Sequence, residues 1–135
     1  MHPASLRLPA ILDIGCNHNL VIRRDHLTAW SALHPDGLRQ LRRTRIHGRV
    51  GVEAAANVWV HANRPYRRDD LAGKPPYLLE CPEGIVVTPG APDDDYPRLP
   101  ILGLRALRWA KLQVHIDCRT CRLTMRTARW FGLFG

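Results

Sequence analysis

Residues 10 to 17 read Ala10-Ile11-Leu12-Asp13-Ile14-Gly15-Cys16-Asn17, and this stretch decides the fold. The continuous apolar run Ala10 to Leu12 is the pattern of a short strand buried on both faces. It runs straight into an Asp-x-Gly turn, which leaves one carboxylate at the strand's mouth. A second segment, Pro100-Ile101-Leu102-Gly103-Leu104-Arg105-Ala106-Leu107, sets an apolar pair and a glycine before a short helical start near the other end of the chain.

Outward from these two segments the chain reads as short strands joined by turns. Leu20-Val21-Ile22 is β-prone, and Arg24 to Leu33 has room for one or two helical turns before the turn signal His34-Pro35-Asp36-Gly37. Leu41 to Val52 sets Arg42, Arg43, Arg45 and Arg49 around Ile46 and Val50, with Gly48 and Gly51 able to take positive φ. This is expected to be an exposed basic hairpin. Asn57 to His61, Tyr77 to Cys81 and Gly84 to Thr88 are further strand candidates. The stretches Ala62 to Pro76 and Pro89 to Pro100 are punctuated by Pro and Gly and read as loops. Leu104 to Lys111 carries Leu104, Leu107 and Ala110 at helical spacing, and Leu112 to Ile116 with Arg122 to Thr127 form a closing hairpin around Asp117 to Thr120. The sum is an all-β chain with one short C-terminal helix.

The 135 residues amount to one domain, 1–135, and the 45% hydrophobic and 24% charged content is that of a folded globular chain rather than a disordered one. The net charge of +8 favours acidic partners. Lys74 and Lys111 are the only lysines, so arginine carries the excess. No run approaches the roughly 20 apolar residues of a membrane span, so no span is expected. Asp13 breaks the only apolar run near the start, which leaves no secretory layout, and the expected location is cytoplasmic. Four cysteines without such a layout read as reduced thiols.

The two opening segments resemble those of the retropepsin-like family, the single-domain aspartic proteases of retroviral type. In that family an Asp-Thr-Gly or Asp-Ser-Gly turn packs beside an apolar-apolar-Gly segment that leads into the helix. The resemblance implies an all-β, retropepsin-like closed barrel with a flap hairpin, and an aspartic endopeptidase that needs no metal or organic cofactor. Peptide hydrolysis by carboxylates requires two of them, because like charges about 3 Å apart share one proton. Only one Asp-x-Gly turn is present, so the resemblance implies a homodimer in which Asp13 from each subunit meets its mate across a two-fold axis. It further implies that Gly15 and Asn17 contact the peptide or protein substrate and that Gly48 lies near the flap tip. Ile101, Leu102 and Gly103 would support the catalytic turn. Ile14 departs from the family pattern: the usual Thr or Ser hydroxyl braces both turns, and Ile14 has none. A catalytically impaired dimer that binds peptides as a scaffold is therefore an alternative.

Three other constellations compete. Cys118-Arg119-Thr120-Cys121 has the spacing of half a zinc site, but Cys16, Cys81 and the seven histidines supply no second compact pair, so no metal is expected. A Cys16 nucleophile with His18 or His61 lacks a supporting motif. In a basic nucleic-acid-binding β domain, Arg39 to Arg49 would meet phosphates and Trp59, Trp109 or Tyr66 would stack on bases. No nucleic-acid motif is present, which disfavours that partner. The apolar stretch Trp130-Phe131-Gly132-Leu133-Phe134 could join the dimer interface, touch a membrane or anchor a partner.

Overall fold

Alternation of apolar and polar residues resolves, in the computed structural model, into short strands with two distinct faces. Residues 10–31, 33–60, 77–90, 93–120 and 122–127 are described. The sequence candidates at Ala62 to Pro76 and Trp130 to Phe134, with His61, Tyr66 and Cys121, lie outside them. In chain order the elements are β1 (Ile11–Asp13), β2 (Leu20–Arg23), α1 (Arg24–Ser31), β3 (Gln40–Ile46), β4 (Arg49–Ala54) and β5 (Val58–Val60). They continue with β6 (Tyr77–Leu79), β7 (Ile85–Thr88), β8 (Ile101–Gly103), α2 (Leu104–Trp109), β9 (Leu112–Asp117) and β10 (Arg122–Thr127).

Six strands form one sheet in the order β1-β8-β2-β7-β4-β3, while β5 with β6 and β9 with β10 form separate antiparallel ribbons. The protein is thus mostly β-sheet, as its sequence suggests, but two expectations need correction. The sheet is open: β1 and β3 end it and do not pair with each other, so the expected closed barrel does not form. Closure needs matched edges, whereas β1 is three residues long and β3 carries a bulge between Gln40 and Arg42. Among the described residues there are also two α-helices rather than one. In α1 only Leu27 and Ser31 are buried, one i,i+4 pair, and this gives too thin an apolar stripe to stand out in the sequence.

Side chains alternate across each strand and so divide between two cores. On one face Leu20, Ile22, Ala54, Ile85, Val87 and Leu102 pack with Leu27 of α1, Ala106 and Leu107 of α2, and Val58 and Leu79 of the β5–β6 ribbon. Fully burying a residue such as Ile22 or Leu27 is worth about 1.5–3 kcal/mol, so this face carries most of the hydrophobic stabilisation. On the opposite face Val21, Ile46 and Val86 form a small cluster with Cys16, Tyr96 and Ile101 packed against it. No helix among the described residues is long and apolar enough to cross a membrane.

Candidate active site

Leu12 packs against the main core, so Ile11 and Asp13, its neighbours on β1, face the smaller cluster. The strand ends there because Asp13 turns the chain: the Gly15 N–H donates to Asp13 Oδ1 at 2.9 Å and the Cys16 N–H to the Asp13 carbonyl at 3.2 Å. Asp13, Ile14 and Gly15 are all exposed, Ile14 at 71% and Ile11 at 49%. Among the described residues no cation pairs with the Asp13 carboxylate.

β8 lies between β1 and β2, parallel to the first and antiparallel to the second. Its register sets Ile11 against Ile101, Leu12 against Leu102 and Asp13 against Gly103. The 14–19 turn crosses directly over Gly103, where an added Cβ would stand 1.9 Å from the His18 carbonyl oxygen and 2.9 Å from that of Cys16. Only glycine fits. The Gly103 N–H donates to the Asn19 carbonyl at 3.0 Å, and the chain then enters α2. The two other supporting residues part company: Ile101 faces the small cluster with Asp13, while Leu102 belongs to the main core.

Asn19 is a site residue that sequence reasoning missed. It is buried, and its Nδ2 donates to the Gly84 carbonyl at 3.0 Å, tying the Asp13 turn to the start of β7. The partner is 65 residues away, so no local signal marks it. Asn17, expected to face substrate, is exposed on the same turn.

The β3–β4 hairpin turns at His47 and Gly48, whose φ values of 46° and 75° are the positive pair that a two-residue hairpin loop requires. Its tip is tied to the 93–97 segment. The Arg49 guanidinium bonds the Asp94 carboxylate and lies 4.6 Å above the Tyr96 ring, while His47 meets that ring edge-on at 5.4 Å. The segment is held in turn by Thr88 Oγ1 donating to the Tyr96 carbonyl (3.2 Å), and by Arg23 Nη1 donating to the Asp95 carbonyl (3.2 Å). Burial first, then Cys16, push the Tyr96 phenol up; Arg49 opposes this and the Asp13 carboxylate adds to it. Tyr96 thus stands in the field of both the hairpin and the Asp13 turn.

Three other carboxylates among the described residues are engaged with arginines. Glu53, buried, takes two bonds from Arg42; Asp94 is bonded to Arg49; Asp25 accepts from Arg23. Burial, with the Asp13 charge adding to it, pushes the Cys16 thiol up despite its contact with the His18 carbonyl, so this cysteine is held as a thiol rather than an attacking thiolate. Burial also lowers the His18 pKa. Among the described residues no three His, Cys, Asp or Glu side chains gather as metal ligands. No family model, curated protein or solved structure matches the chain.

Proposed function

We propose that this chain is a retropepsin-like aspartic endopeptidase that acts as a homodimer. One observation carries the reading: the Asp-x-Gly turn and the apolar-apolar-Gly strand, about ninety residues apart, are hydrogen-bonded neighbours, with Asp13 opposite Gly103 and α2 following at once. The pairing requirement supports the dimer. Among the described residues Asp25, Glu53 and Asp94 are already bound to arginines, and in this reading the second carboxyl group comes from Asp13 of a second copy.

The two carboxyl groups share a proton and titrate as a unit. The ionised one takes a proton from water as that water attacks the peptide carbonyl, and the protonated one donates to the carbonyl oxygen. The exposed Ile11 and Ile14 flank Asp13, and burying what remains exposed of each against the partner would contribute about 1–2 kcal/mol. The hairpin, with Gly48 at its tip, supplies a cover for the cleft. Ile14 favours one second reading. Without the bracing hydroxyl the dimer would grip peptides yet cut them slowly.

Cleavage of a diverse peptide library between acid and neutral pH, comparing wild type with Asp13→Asn at concentrations where sedimentation finds a dimer, tests both. Removing a general acid–base group is expected to cost about 10²–10⁴-fold. Equal cleavage by both forms would sink the mechanism, and peptide binding without cleavage by either form selects the scaffold.

A further inference from the structure

The β3–β4 hairpin is the end of the six-stranded sheet, and the outer side of β3 is unpaired among the described residues. Ile46 and Arg49 flank a two-residue turn, so they exchange hydrogen bonds, as do Thr44 and Gly51 two residues on. The residues that alternate with these, Arg45 and then Arg43, therefore direct their backbone N–H and C=O groups away from β4 and along the open edge. Both side chains are exposed, on the face opposite the buried Ile46, and neither pairs with a carboxylate among the described residues. Arg42 and Arg49, which point the other way, are both paired.

We infer that the open edge of β3 is a docking surface for an extended acidic peptide segment of a partner protein, which adds as a strand beside Arg43 and Arg45. Backbone hydrogen bonds supply affinity in such an addition, and side chains supply selectivity. The selectivity is fixed by charge: two unpaired arginines alternate along the edge of a chain whose net charge is +8, matching carboxylates spaced two residues apart on an incoming strand. A peptide suits the surface better than a nucleic acid. Phosphates would use the arginines alone, whereas the free backbone N–H and C=O groups of Arg43 and Arg45 are complements for a strand. This surface does not depend on the protease reading, since it is the hairpin's outer edge and its test reads binding alone.

The test titrates the full Asp13→Asn chain with a labelled peptide of alternating Glu and Val, followed by anisotropy and by amide chemical shifts. Controls are the Lys-for-Glu peptide, a peptide N-methylated on its edge-facing amides, and a single-stranded oligonucleotide. The acidic peptide is expected to bind and to shift the Arg43 and Arg45 amides, while N-methylation and the Lys exchange abolish binding. Arg43→Ala with Arg45→Ala should weaken it by about tenfold or more, the loss of at least one charge-assisted contact, and Arg43→Lys with Arg45→Lys should largely retain it. Both arginines are exposed, so a matching thermal melt establishes that these variants fold. Peptide binding that survives the alanine pair or N-methylation overturns the proposal. So does tighter, arginine-dependent binding of the oligonucleotide, and no binding at all would mean that the arginines serve only to keep the edge from pairing.

Discussion

At Gly103 an added Cβ would stand 1.9 Å from the His18 carbonyl oxygen, so Gly103→Ala must push the 14–19 turn off β8. The expected loss is about 1–3 kcal/mol, the usual cost of forcing extra volume into a packed place, read as a lower urea midpoint with an unchanged slope. A second residue makes a pH prediction. Burial pushes the Cys81 thiol up to about 11 from an ordinary 9.0. A raised folded pKa means that Cys81's contribution is fully present below 9.0 and is lost as pH climbs towards 11, since the unfolded chain ionises first. Thermal melts over that window should fall for wild type and fall less steeply for Cys81→Ala; equal slopes would refute the assignment. The turn at Asp13 to Gly15 and the glycine before α2 were legible as local structure, because a turn carboxylate and a glycine before a helix leave local marks. Asn19 left none: what makes it matter is a bond to Gly84 across the fold.

The hairpin shows the same division at the scale of elements. Glycines and alternating arginines announce a turn between two strands, and β3 and β4 form there with the tip at His47 and Gly48. That the tip is fastened to the 93–97 segment was not legible, because Arg49 and Asp94 meet across 45 residues and loop sequence does not encode a long-range pairing. The closed barrel failed for a related reason, since edge pairing depends on how far the sheet curls and not on any one strand. Arg49→Ala should free the tip: amides of 44–51 exchange severalfold faster while those of β2 and β7 do not change. Its bond to Arg49, against an opposing effect of burial, holds the Asp94 carboxyl below the usual carboxylate range. A depressed folded pKa means that the tie is intact above that range and is lost only as pH falls through the lowered value. The hairpin should therefore remain fastened in mild acid, and exchange that quickens already at pH near 5 would argue against the ion pair as the fastener.

For the whole molecule the deciding question is whether one chain or two make the site. Composition marked a folded chain and the strand and turn patterns a mostly β one, but association is a property of surfaces, and nothing local in the sequence shows Ile11 and Ile14 lying bare beside Asp13. In the proposed dimer their exposure would favour a two-fold contact around the carboxylate, while two protomers of net charge +8 repel one another. Salt screens that repulsion, with a Debye length near 8 Å at about 0.15 M, so the dimer should tighten as salt is added. A mixing experiment then reads the stoichiometry of the site directly. If each site needs Asp13 from both subunits, combining equal amounts of wild type and Asp13→Asn, after subunit exchange, leaves only wild-type pairs active, about a quarter of the assembled dimers. If each chain acts alone, about half of the activity survives, because the two kinds of chain are then independent. Ile14→Asp in both subunits sets two charges at the contact and should shift the protein to monomer by sedimentation, with cleavage lost in parallel. Cleavage that persists in a confirmed monomer would place the second proton-sharing group within the chain and remove the need for a partner.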